Sequence, residues 1–116
     1  MIKLPIIIDE HGDISVFMSI AEASDYIEPI DVRNNEYLAY DSEGRCLELS
    51  IESEIIKGIF NRSINQEKVQ ITASSVTDSC NLSIKIRLFL EAIGNSVSTK
   101  ATLPELVKML KALTKC

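Results

Sequence analysis

The stretch from Cys46 to Glu52 constrains this chain most. Leu47, Leu49 and Ile51 alternate with Glu48, Ser50 and Glu52, and period two with acids on the alternate positions is the pattern of a half-buried strand. Ser42-Glu43-Gly44 precedes it as a turn, and Tyr37, Leu38 and Tyr40 lie before that. Residues 36–52 therefore predict a β-hairpin. A second hairpin is predicted at the start, where the β-branched run Leu4–Ile8 is closed by Asp9-Glu10-His11-Gly12-Asp13 and strand character resumes over Ile14–Phe17.

Helices are announced by their caps. Ser19-Ile20-Ala21-Glu22 has the spacing of a capping box. The helix it opens has room for Ile20, Ala23 and Ile27 on one face before Pro29 forces Glu28 out of helical geometry. Thr102-Leu103-Pro104-Glu105 repeats the signal and leads into the apolar stripe Leu103, Leu106, Val107, Leu110 and Leu113. Lys108, Lys111 and Lys115 sit late in that helix, where cations complement its dipole.

Three segments are less determined. Residues 53–60 suit a continuing strand or a short helix, with Ile55, Ile56, Ile59 and Phe60 favouring strand. Val69–Thr72 predicts a further short strand. Leu82, Ile84, Ile86, Leu88 and Leu90 alternate like a strand, yet Leu82, Ile86, Phe89, Leu90 and Ile93 also share a helical face. Asp78 or Ser79 as a cap and Gly94-Asn95 as a stop favour helix there. The expected order is β-β-α-β-β-β-β-α-α. It describes a single α+β domain spanning residues 1–116: an antiparallel sheet of hairpins, a short helix after the first hairpin, and two C-terminal helices packed on the sheet.

With 116 residues and 46% hydrophobic content the chain can bury an ordinary core. Its net charge of −5 conceals a division. Residues 1–54 hold thirteen acids against three bases, a net of −10, and residues 55–116 hold nine bases against four acids, a net of +5. The acidic half repels phosphate backbones and attracts basic partners, while the basic half either neutralises it within the fold or faces elsewhere. The bases after Lys57 are spread singly, which argues against direct nucleic-acid binding.

Little in the sequence suggests a reaction centre. His11 is the one histidine, in a turn among Asp9, Glu10 and Asp13, and it is the residue on which an enzymatic reading would depend. Cys46, Cys80 and Cys116 have no zinc spacing. They read as free thiols in a reducing cytosol, the first two packed like small hydrophobes. The four glycines are too dispersed for a phosphate loop. No cofactor, metal or membrane span is expected, and the short apolar start ended by Asp9-Glu10 does not read as a signal peptide. Tyr37 and Tyr40 are either cross-strand packing residues or interface anchors set among Glu36, Asp41 and Glu43.

Gly12-Asp13-Ile14-Ser15-Val16-Phe17, the acidic helix after it, Glu28-Pro29-Ile30-Asp31-Val32-Arg33, and Glu36-Tyr37 through Tyr40-Asp41-Ser42-Glu43-Gly44-Arg45 together resemble small immunity proteins of bacterial polymorphic-toxin systems, including those of contact-dependent growth inhibition loci. The resemblance covers about a third of the chain and little beyond Glu52. It implies a cytoplasmic protein that binds and neutralises one cognate toxin domain, often a nuclease. Such a family has no catalytic residues to carry over, and its toxin-facing residues vary with the toxin. Glu36, Tyr37, Tyr40, Asp41 and Glu43 are the expected toxin-binding residues. A small acidic chaperone or adaptor for a secreted effector is the alternative expectation.

Overall fold

A computed structural model describes residues 2–57 and 63–113, with side chains given throughout except at 54–57 and 63–66. The elements are β1 (Ile6–Glu10), β2 (Asp13–Phe17), α1 (Ile20–Tyr26), α2 (Pro29–Arg33), β3 (Leu38–Tyr40), β4 (Arg45–Lys57), β5 (Ser63–Thr77), α3 (Ser79–Ala92) and α4 (Leu103–Leu113). The five strands form one antiparallel sheet in the order β2-β1-β3-β4-β5. This is the expected α+β architecture, with the two C-terminal helices on the sheet.

Both faces of the sheet are covered over β1 and β3. Ile6 and Ile8 join Ala39, Leu47, Val69 and Ile71 under α1, where Ala23 and Ile27 complete one core. Ile7 points the other way and joins Ile14 and Tyr40 beneath Leu82, Ile86 and Leu90 of α3 and Leu106, Val107 and Leu110 of α4. A strand buried on both sides has no polar alternation to show, which is why β1 reads as an unbroken isoleucine run. It starts after Pro5, two residues later than the expected Leu4.

The turn between β1 and β2 puts His11 at φ 52° and Gly12 at φ 95°, the pair of positive angles a two-residue hairpin of right-handed twist requires. The Asp9 carboxylate secures it by accepting the Gly12 N–H at 2.7 Å. Ser19 caps α1 as the sequence indicated, accepting the Glu22 N–H at 3.1 Å. Ile20, expected on the buried face, stands exposed at the helix start. Glu28 is extended before Pro29, yet Pro29 also opens the five-residue helix α2, which the sequence reading did not foresee. A proline that ends one helix is pre-organised for the first position of the next.

The two strands expected over 46–52 and 53–60 are one strand, β4, as far as Lys57; residues 58–60 lie outside the described residues. The short strand expected at 69–72 is the middle of the fifteen-residue β5. Their paired backbones run in continuous register from Leu47↔Ala73 to Lys57↔Ser63, while α1 and α2 cover only part of their length. The long axis of the molecule is accordingly 60 Å against 33 and 23 Å. Its radius of gyration is 16.4 Å, where a compact chain of this length would have about 13 Å.

Residues 82–93 settle as helix up to Ala92. Asp78 is the cap, accepting the Asn81 N–H at 3.2 Å. The helix begins hard against the β3–β4 turn, where the Gly44 carbonyl accepts the Asp78 N–H at 2.8 Å. A Cβ at Gly44, whose φ is +87°, would lie 2.5 Å from the Ser79 Cα, so this contact admits only glycine. At α4, Glu105 reaches back to the Thr102 N–H and accepts its hydroxyl as well.

Candidate functional site

Three of the five residues expected to meet a partner are inside the protein. Tyr37 is 9% exposed and Tyr40 4%, because the two cores each recruit one of these rings. Tyr37 donates its hydroxyl to the Asp31 carboxylate at 3.1 Å, and burial pushes its phenol up to about 12. Burial likewise raises Tyr40, whose hydroxyl accepts from the Asn81 amide at 3.4 Å. Asp41 is 1% exposed. Its Oδ1 accepts the N–H groups of Glu43 and Arg45, both at 2.9 Å, and its Oδ2 accepts that of Lys3 at 3.3 Å. The aspartate is the organiser of the β3–β4 turn rather than a surface charge.

Of the five, only Glu43 is exposed, and Glu36 is half-exposed. Glu36 is engaged by the His11 Nε2, which the carboxylate holds above the ordinary histidine range. The five residues therefore form no common outward face. The packing reading of the tyrosines is the one the geometry matches, and the signal that conceals it is local: tyrosine, glutamate and aspartate in a strand–turn sequence look alike whether the sheet has one open face or none.

His11 borders a depression of about 360 Å³ shared with Asp9, Asn35, Glu36 and Lys85. Lys85 reaches across from α3 to the buried Asp9, with Nζ 2.7 Å from Oδ2, and that bond raises the lysine above its ordinary value. These groups are committed to one another and to the hairpin turn. Among the described residues no group of three or more His, Cys, Asp or Glu side chains is placed to hold a metal ion, and no helix is long and apolar enough to cross a membrane. Cys46 is half-buried as expected, but Cys80 is exposed on the first turn of α3; Cys116 lies outside the described residues.

What the tertiary structure does assemble is a separation of charge. Residues 20–33, the α1–α2 layer, carry Glu22, Asp25, Glu28 and Asp31 with Arg33, a net of −3. Residues 79–113, on the opposite side of the sheet, carry five bases and two acids, a net of +3. Arg33 is taken up by Glu67, whereas Glu22, Asp25 and Glu28 are exposed and in no ion pair among the described residues. Lys85 is spent on Asp9, and Arg87 on the carbonyls of Ser98 and Ala101. The α1–α2 and α3–α4 layers thus carry opposite net charge on opposite sides of the sheet, while Lys68 of β5 borders the acidic layer in a depression shared with Asp25 and Glu28.

Beside the acidic layer lies a groove of about 450 Å³ between the outer edge of the sheet and the ends of α1, α3 and α4. Val16, Phe17, Tyr26, Phe89 and Ile93 are among its walls. Phe17 and Tyr26 meet with ring centroids 4.9 Å apart, yet Tyr26 remains 44% and Ile93 49% exposed. In the sequence Tyr26 is a single ring beside the apolar positions of a short helix. Its position next to an edge strand depends on the sheet order, which no local pattern carries.

Comparison with protein-family models, curated proteins and solved structures finds no match.

Proposed function

We propose that this chain is an immunity-type protein that binds and neutralises a cognate toxin domain in the cytoplasm by forming a tight protein–protein complex. The observation that carries the proposal is the acidic α1–α2 layer, whose Glu22, Asp25 and Glu28 are exposed and outside any ion pair among the described residues. A nuclease toxin presents a basic cleft to phosphates, and a fixed acidic surface competes for that cleft with electrostatically steered association. The resemblance of Gly12–Arg45 to immunity proteins supports the same role, and the acidic helices lie within that segment.

The test is direct. The toxin domain encoded immediately upstream should bind the purified chain with a nanomolar or lower Kd and lose its activity in the complex; absence of binding or of inhibition rejects the proposal. A chaperone or adaptor for a secreted effector is the second reading, favoured by Ile84 and Leu88, which are 51% and 61% exposed on the outer face of α3. A stable homodimer that holds an unfolded effector segment would identify it.

A further inference from the structure

The apolar groove and the acidic layer adjoin, and their combination narrows what the partner must offer. The groove lining contains no charged side chain; Ser15 and the Tyr26 hydroxyl are its polar groups. Its α1 wall carries Glu22, one helical turn from Tyr26 on the same face, whereas Asp25 borders a separate depression with Glu28 and Lys68. Asp13 precedes the β2 residues of the opposite wall. The exposed Lys108 of α4 instead borders a separate depression with Leu4, Pro5 and Pro104. An uncharged aromatic slot with acids along its rim is the anatomy of an interface whose centre takes an apolar anchor and whose periphery takes cations.

From this geometry we infer that the groove between β2, α1 and the end of α3 is the anchoring site for a basic protein segment, which inserts one bulky apolar side chain against Phe17, Tyr26 and Ile93 and places flanking lysines or arginines on Asp13 and Glu22. The inference rests on the neutralisation reading for the identity of the partner, whereas the chemistry of the slot stands on the residues themselves. It moves the recognition surface from the expected Glu36–Glu43 segment to the adjoining faces of β2 and α1. The partner's cationic flanks give orientation and speed, and the buried anchor gives residence time.

The test uses the full chain, 15N-labelled, titrated with the capped heptapeptide Lys-Lys-Ser-Phe-Ser-Lys-Lys. Amide shifts confined to Ser15–Phe17, Glu22–Tyr26 and Ile93 are expected, with affinity falling at least tenfold when glutamates replace the lysines or alanine replaces the phenylalanine. The charge variant Asp13→Lys with Glu22→Lys, both exposed and without risk to the core, should weaken binding at least tenfold, as should Tyr26→Ser with Ile93→Ser. Ile84→Ser with Leu88→Ser, on the outer face of α3, should leave it unchanged. No saturable binding, equal affinity for the glutamate peptide, or shifts centred elsewhere overturns the groove assignment. The same variants measured against the upstream-encoded toxin domain separate the two proposals: full-affinity neutralisation by the groove variants removes the groove and keeps the function. Peptide binding in the groove with no toxin binding does the reverse.

Discussion

The Asp41 carboxylate sits at a place where a charge would be costly without donors, and the chain supplies three backbone N–H groups to it. Asp41→Ala would leave those donors unmet in a nearly closed site. A loss of about 2–3 kcal/mol in urea denaturation is expected, with Asp41→Asn costing less because one acceptor oxygen remains. Tyr37 gives a second residue-scale test through pH. Its phenol ionises near 12 in the folded protein against 10.0 ordinarily, so the neutral form is the one the fold favours. The stabilisation is complete below about pH 10 and is lost as pH rises from about 10 to 12, on the order of 2 kcal/mol. Lys85, also raised, changes in the same alkaline direction, so the contribution is read as the difference between wild type and Tyr37→Phe in urea midpoints at pH 9 and 11.5. Absorbance titration should show the tyrosine that ionises near pH 12 disappear in that variant. Both residues were visible in the sequence as notable; that they are interior was not, since burial of a tyrosine depends on whether the second face of the sheet is covered.

At the scale of elements, α3 carries the clearest lesson. Its alternating apolar residues satisfy strand and helix periods at once, and the fold resolves them into two helical stripes. Leu82, Ile86 and Leu90 are fully buried, while Ile84 and Leu88 point to solvent. Ile86→Ala should therefore cost roughly 2–5 kcal/mol, and Leu88→Lys should stay within about 0.5 kcal/mol; a strand-like arrangement would make the two equally damaging. The capping signals at Ser19 and Thr102 were legible because they act over three or four residues and need no tertiary partner. The union of two expected strands into β4, and the extension of Val69–Thr72 into β5, were not, because Glu52 to Glu54 and Gln66 to Lys68 have weak strand preference and are held by cross-strand pairing.

Across the whole molecule, the sheet separates two helical layers of opposite net charge. With exposed acids on α1–α2 and a net positive α3–α4 layer behind the sheet, association with a basic partner should slow roughly tenfold between 50 and 500 mM salt while dissociation changes little. Stopped-flow mixing with the toxin domain measures both, and a salt-independent association rate would remove the acidic layer from the encounter. The sequence by itself determined the α+β class, the hairpins, three of the helix starts and the opposition of an acidic to a basic half, all of which follow from periodicity, caps and composition read over short windows. Only the tertiary structure decided that Tyr37, Tyr40 and Asp41 are interior, that two helical layers of opposite net charge lie on opposite faces of one sheet, and that β2 is an edge strand with an aromatic groove beside it. Each of those depends on strand order and on which helices cover which face, relations between residues far apart in the chain that no local pattern encodes.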